Sequence, residues 1–261
     1  MTFLEFDHTT SPATASEIHH ELQPLESISL TEMDSVALMN RVDTKYVLGE
    51  DCLLDLLRRI QTDYRILEID GIRIFQYETL YFDTPQRQCY LQHHNGKLNR
   101  QKYRIRKYQS SGPCFLEVKK KTSKGRTDKS RITVPQINGT LSSHQETFIR
   151  EATGSLPDLR PEIWTCFSRL TLVNRSLPER VTVDRELSFH NEKNRRQLPG
   201  LVIAEVKQER DNRSTSVREH LRDLEVRPMR VSKYCLGSVL LTPGLKYNRF
   251  KAKLMAIKKV V

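Results

Sequence analysis

Tyr103-Arg104-Ile105-Arg106-Lys107 and, shortly after it, Phe115-Leu116-Glu117-Val118-Lys119 are the stretches from which the fold can be read. Side chains two apart on a strand share a face. Arg104 and Arg106 therefore lie together, and Glu117 and Lys119 lie together with Lys121 continuing that side. The same alternation appears upstream in Arg41-Val42-Asp43-Thr44-Lys45. Downstream it returns in Lys129 with Arg131, in Arg180-Val181-Thr182-Val183-Asp184 and in Ala204-Glu205-Val206-Lys207. Each segment has one charged and one apolar face.

Such faces have two readings. Any antiparallel sheet with one wet side alternates in this way. Here, however, the charged faces are mostly basic, with isolated carboxylates two residues from a cation. About eight strands closing into a barrel leave room for side chains or one small ligand, and charged faces turned inward would make a cationic tube. Such a tube is costly when empty, because confined like charges repel and are partly desolvated. A phosphate chain relieves that cost, since its charged oxygens accept several charge-assisted hydrogen bonds. Arginine offers a fixed fork of donors and lysine a point charge. The interspersed Asp and Glu suit Mg²⁺ or Mn²⁺, which are held by one or two carboxylates plus phosphate oxygens.

The 261 residues suffice for one large domain or two small ones. Residues 1–26, rich in Ser, Thr, Pro, His and Glu, read as a flexible arm, and 27–261 as a single domain. Helices are expected over 30–40, 52–60 with Asp51 as the cap, 214–224 and 232–241. Strands are expected over 41–48, 66–69, 72–82, 101–108, 114–120, 129–134, 167–174, 180–188 and 201–208. The pattern predicts an α+β fold, an antiparallel β-barrel with helices packed outside.

A formal charge of +11 calls for an anionic partner: nucleic acid, a membrane surface, or a phosphorylated molecule or polymer. A nucleic-acid binder would show an exposed basic stripe with aromatics. The repeated Glu-x-Lys pairing fits that poorly, so no nucleic acid is expected. Five scattered cysteines without a CxxC pair suit a reducing compartment. No apolar run reaches the roughly 18–20 residues of a membrane span and no secretory leader is visible, so the expected setting is cytoplasmic. The basic tail over 246–259 reads as a solvated terminal helix, with an acidic surface as the other reading.

Arg41-Val-Asp43-Thr-Lys45-Tyr46 resembles the first-strand motif of VTC domains, the catalytic domain type of vacuolar transporter chaperone polyphosphate polymerases. These belong to the triphosphate tunnel metalloenzymes, alongside CYTH-type triphosphatases. Glu78-Thr79-Leu80-Tyr81-Phe82-Asp83-Thr84-Pro85 looks like the next motif. It is followed in order by Arg104-x-Arg106, Phe115-Leu116-Glu117-Val118-Lys119, Gly125-Arg126 with Lys129 and Arg131, the Arg180–Asp184 segment, Glu205-x-Lys207 and Ser232-Lys233-Tyr234. The resemblance implies an eight-stranded tunnel with helices outside, binding ATP and inorganic tri- or polyphosphate with Mn²⁺ or Mg²⁺. It implies transfer of the ATP γ-phosphoryl group to a growing polyphosphate chain. A metal-dependent triphosphatase and a non-catalytic polyphosphate or nucleic-acid binder are the alternatives.

Carried over by position, the catalytic cations are Lys45, Arg104, Arg106, Lys119, Arg180 and Lys233. Lys129, Arg131, Arg169, Lys207 and Arg230 would bind phosphate, and Glu205, Asp43 and Glu117 would hold the metal. Arg41 stands where CYTH-type triphosphatases carry the first glutamate of Glu-x-Glu-x-Lys, and the next acid is Asp43 instead of glutamate. Both departures favour the VTC branch and thin the metal site.

Overall fold

The computed structural model describes residues 15–35, 41–108, 112–123, 127–209 and 215–261. Among them, eleven strands form one sheet: β1 (Ser27–Ile28), β2 (Arg41–Gly49), β3 (Tyr64–Leu67), β4 (Phe75–Asp83), β5 (Arg100–Tyr108), β6 (Cys114–Lys121), β7 (Thr127–Val134), β8 (Arg160–Asn174), β9 (Glu179–His190), β10 (Arg195–Leu198) and β11 (Leu201–Glu209). The helices are α1 (Ala15–Leu22), α2 (Leu30–Ser35), α3 (Glu50–Ile60), α4 (Gln88–His94), α5 (Ser143–Thr153), α6 (Ser216–Asp223), α7 (Lys233–Leu241) and α8 (Lys251–Lys258). Eight strands run in the order β2-β11-β9-β8-β4-β5-β6-β7, every neighbouring pair antiparallel. Among the described residues no ladder joins β2 to β7.

The apolar face of the sheet lies outside. Leu170, Leu172, Val181, Val183, Val202 and Val206 pack beneath α1, α3 and α6, whose contributions include Ile18, Leu53, Leu57 and Leu221. Leu80, Tyr103, Ile105, Leu116 and Val118 pack under Ile149 of α5. Burying one such aliphatic side chain contributes about 1.5–3 kcal/mol, so this layer anchors the helices to the sheet.

The opposite face is polar, yet Arg104 and Arg106 are each only 8% exposed and Asp184 3%. The sheet covers itself by curling. Lys45 of β2 donates to Val231 O at 3.5 Å and Lys102 of β5 to the adjacent Ser232 Oγ at 2.8 Å, although four strands separate β2 from β5 along the sheet.

One end of this inner face is greasy because β9 carries an extra residue. While β8 advances from Cys166 to Ser168, β9 passes from Ser188 to Arg185, and Glu186 adopts a left-handed φ of 53°. The bulge shifts the alternation by one: Arg180, Thr182 and Asp184 face inward before it, Leu187 and Phe189 after it. Against this patch, with Val47, Ile163 and Ile203, sits α7. It is apolar on almost every side, as a helix enclosed by protein must be. Gly237 permits the approach, since a Cβ there would lie 2.6 Å from Phe189 Cδ1.

Several expectations are corrected. Residues 15–22, expected as part of a flexible arm, form α1; Ile18, Leu22 and the following Leu25 are buried, and Glu21 accepts from Arg58 of α3 at 2.8 Å. Gly49, and not Asp51, occupies the N-cap of α3. β4 begins at Phe75 because Ile69 and Ile72 bridge around a turn with positive φ at Asp70 and Gly71. β8 begins at Arg160, seven residues before the expected start. β1, β10, α4 and α5 were not expected, and α8, expected as a solvated helix, buries Leu254 and Ile257 in the cluster that holds Leu236 and Val239. Residues 36–40 of the first expected helix and position 214 of the third lie outside the described residues.

Candidate active site in a cationic inner face

One wall comes from β5, β6 and β7. Register sets Arg104 opposite Glu117 and Lys102 opposite Lys119, with Lys119 in turn opposite Lys129 and Glu117 opposite Arg131. Glu117 is fully buried and accepts from Arg104 Nε at 2.7 Å and Nη2 at 2.5 Å, while Lys129 pairs with its other oxygen. Arg104 also donates to the Tyr81 hydroxyl at 3.2 Å, and Arg106 to Thr79 at 3.3 Å. Arg106 lies 5.7 Å from the Tyr77 ring centroid. Lys102 donates to Ser232 Oγ at 2.8 Å, tying β5 to the N-cap of α7.

The second wall comes from β8, β9, β11 and β2. Asp184 accepts a fork from Arg169, at 2.5 Å from Nε and 2.8 Å from Nη2, and also pairs with Lys233 of α7. Arg169 stacks over Tyr77 at 4.8 Å and Lys233 over Phe167 at 4.4 Å. Glu205 lies between Lys45 at 3.9 Å and Lys207 at 3.6 Å. Lys207 also donates to Thr182 at 3.2 Å.

This crowding moves the titrations. Arg104 first, then burial and Arg106, drive the Lys119 ammonium down to about 6. Burial lowers Lys207 and Lys233 to about 8, against the pull of Glu205 and Asp184 respectively. Burial would raise Glu205, but Lys45, Lys207, Arg169 and Lys119 hold it at about 2, so it stays ionised. For Tyr81, burial is outweighed by Arg104, Arg106 and Lys102, and the phenol falls to about 8. A face on which lysines lose protons and a phenol acidifies carries surplus positive potential.

The expected cations Lys45, Arg104, Arg106, Lys119, Lys129, Arg169, Lys207 and Lys233 share this face. Arg180 and Asp43 sit toward its far rim, opposite and beside Lys207 in the ladders, with Asp43 exposed and Arg180 donating to Met33 O at 3.1 Å. Arg131 is exposed over Phe115, 4.7 Å from its centroid, and Arg230 is exposed on the loop before α7. The three acids expected at a metal do not converge: among the described residues no three His, Cys, Asp or Glu side chains form a cluster. Glu117 is locked between Arg104 and Lys129 on the opposite wall. Gly125 and Arg126 lie outside the described residues.

Lys102, Tyr77 and Phe167 belong to the site and were not singled out, while Asp184, Thr79 and Ser232 stood within the quoted segments without an assigned role. Lys102 was readable, being two residues before Arg104 on an expected strand. Asp83 of the Glu78–Pro85 motif is buried off the site; it accepts from the backbone N–H groups of Thr84, Cys89 and Tyr90 at 2.7–2.9 Å and from the Tyr234 hydroxyl. That part of the motif is architectural, fixing α4 and the first turn of α7.

Fold and site together define an α+β protein whose antiparallel sheet encloses a cation-rich face stoppered by a helix. The sequence model of the VTC domain matches residues 40–242, and the chain belongs to the VTC domain family. A comparison with curated proteins gives no match. Among solved structures, the chain is similar to a candidate adenylate cyclase of Bacillus halodurans, with 12% identity, 74% of this chain and 94% of that chain covered, and a TM-score of 0.46. It is also similar to a candidate adenylyl cyclase of Hippeastrum, for which a dominant triphosphatase activity is reported, with 17% identity, 80% and 99% covered, and a TM-score of 0.46. No helix among the described residues is long and apolar enough to cross a membrane.

Proposed function

We propose that the chain is a polyphosphate polymerase that transfers the γ-phosphoryl group of ATP to the end of an inorganic polyphosphate chain. The observation that carries this reading is the set of inner-face basic side chains that make no carboxylate ion pair among the described residues, Lys102, Arg106 and Lys119, enclosed with Arg104 in a member of the VTC domain family. Phosphoryl transfer needs little covalent help from protein; positioning and charge neutralisation carry most of it. Arg106 presents its fork to the phosphate oxygens, Arg104, whose Nε and Nη2 serve Glu117, adds charge beside it, and Lys119 and Lys102 add point charges. Asp184 holds Arg169 and Lys233 toward the same space. The bond between the γ-phosphorus and its bridging oxygen breaks, its electron pair leaving with ADP, as a terminal oxygen of the chain bonds to that phosphorus.

One loosely held carboxylate, Glu205, fits a divalent ion bound mainly through phosphate oxygens, with Asp43 near the rim as a second donor. Bound Mn²⁺ or Mg²⁺ would neutralise charge developing on those oxygens. Glu205 stays ionised to meet it, and its two lysines remain near the phosphates.

The purified protein is incubated with ATP and Mn²⁺ or Mg²⁺ and the products are resolved by length. Chains longer than triphosphate are expected; inorganic phosphate alone would make it a triphosphatase, and no metal-dependent turnover a binder. Arg104→Ala, Lys119→Ala and Glu205→Ala should each lower turnover about 10²–10³-fold, and wild-type rates would remove these residues from the site.

A further inference from the structure

The positive charge is segregated. Residues 84–116 and 226–261 contain no Asp or Glu and carry sixteen of the 43 lysines and arginines; the rest of the chain has 27 against 32 acids. The whole net charge of +11 therefore originates in two segments. The fold brings them together: Arg249 donates to Asn95 O at 2.7 Å, and its N–H to His94 at 3.3 Å.

The joined surface continues the inner face outward. On β5 and β6 the rung beyond Lys102–Lys119 is Arg100 opposite Lys121, on the same side of the sheet. Like charges directly opposite one another destabilise a ladder unless something neutralises them. Neither residue makes an ion pair among the described residues. Arg100 and Arg230 both bear on Lys121, whose pKa burial and these two cations lower. Beyond them, Arg230 and Lys253 of α8 line one small cavity of about 30 Å³ with His93 and Ser232, beside the N-terminus of α7. From Arg100 to Arg106 the β5 ladder alone spans about 20 Å, so the cationic path outlasts a bound triphosphate.

The geometry points to an outer subsite, formed by Arg100, Lys121 and Lys253 beside α7, that binds the part of a long polyphosphate chain protruding from the inner face. The inference rests on the proposed function for its ligand but not for its test, which needs no turnover. A ligand confined to the inner face gains nothing from this surface. A long chain gains about fivefold in affinity per cation met near contact distance in water, a gain that salt weakens.

Dissociation constants for tripolyphosphate and for long-chain polyphosphate are measured by calorimetry at two salt concentrations. The wild type and an Arg100→Glu, Lys121→Glu, Lys253→Glu variant are compared after circular dichroism confirms the fold. Wild type should bind the long chain more tightly, with the steeper salt dependence. The variant, which both removes three cations and adds three acids, should lose at least about a hundredfold for the long chain and keep its tripolyphosphate affinity. Equal losses for both ligands, or none for the long chain, overturns the subsite. Vesicles of phosphatidylserine in phosphatidylcholine and a single-stranded oligonucleotide serve as further probes. If the substitutions abolish binding to either while the polyphosphate length dependence persists, the surface belongs to that partner and the proposal fails. Absence of polymer synthesis from ATP overturns the proposed function and leaves this binding result standing.

Discussion

Replacing Glu117 by Gln separates two roles that a carboxylate can play on this face. Glu117 is fully buried and neutralises Arg104 and Lys129, so removing its charge leaves two cations facing one another. Breaking a buried pair by taking away one partner costs about 3–5 kcal/mol. The amide oxygen retains one bond to Arg104, which places the loss near the lower end, about 3 kcal/mol. In a chain of this size that lowers Tm by roughly 6–12 °C. The carboxyl is pushed up by burial, but Arg104, Arg106 and Lys129 hold it well below the usual carboxylate value. A depressed carboxylate stabilises fully above its unfolded pKa, so the gap between the proteins is complete above about pH 4.5 and closes only in strong acid.

Tripolyphosphate provides the decisive arm. In the variant Arg104 and Lys129 are free to pair with an added anion, so tripolyphosphate should raise Tm further than in the wild type. Saturation a hundredfold above Kd is worth about 2.7 kcal/mol, enough to recover most of the deficit. Differential scanning calorimetry with and without the anion measures both effects. An unchanged Tm, or a loss that the anion restores no better than it stabilises the wild type, refutes Glu117 as an internal counter-charge.

Two further outcomes follow from the geometry. Gly237→Ala sets a methyl 2.6 Å from Phe189 Cδ1 and 3.3 Å from Ile163 Cγ2, an overpacking cost of about 1–3 kcal/mol that the helix propensity of alanine offsets by at most about 1. Thermal unfolding should fall by several degrees, and a variant as stable as the parent would mean α7 is not seated against β8 and β9. Lys119, held near 6, is largely neutral at pH 7.5 and should regain its proton when an anion neutralises Arg104. Tripolyphosphate binding should therefore take up about one proton and weaken as pH rises from 6 toward 9. Calorimetry in two buffers of different ionisation enthalpy measures the uptake, and an unaltered uptake in Lys119→Met would assign it elsewhere.

The alternation of charge was legible because a strand's period survives any tertiary context. It placed Arg104 with Arg106, Glu117 with Lys119 and Glu205 with Lys207 on one face, and the greasy residues between them on the other. It could not tell which face is enclosed, since a solvated face writes the same pattern. The bulge at Glu186 was hidden because one extra residue exchanges the faces of β9 without any local signal of its own. The early half of β8 was hidden similarly, its pairing interrupted near Cys166 and its start marked by Pro161. Helix α5 carries a readable sign, Ser142 with Gln145 forming a reciprocal capping box, but only a narrow apolar stripe. Partner choice was least legible: nothing in Phe115–Lys119 says that Glu117 serves Arg104 and Lys129.

Each acid of the inner face bridges two cations: Glu117 between Arg104 and Lys129, Asp184 between Arg169 and Lys233, Glu205 between Lys45 and Lys207. Such a unit keeps a net positive charge while holding its cations in fixed geometry, which a bare cluster of lysines could not do without repulsion. The units then sum with Lys102 and Arg106, which make no carboxylate ion pair among the described residues, into a field that one anionic group cannot neutralise. Selection for a polyanion follows from that excess more than from any single contact. The three bridges differ in tightness, with bonds of 2.5–2.8 Å from the arginines to Glu117 and Asp184 against 3.6–3.9 Å for Glu205. The tight bridges are scaffold. The loose one is where a lysine can give way to a phosphate-borne cation, so Glu205→Gln should impair turnover while lowering Tm less than Glu117→Gln does.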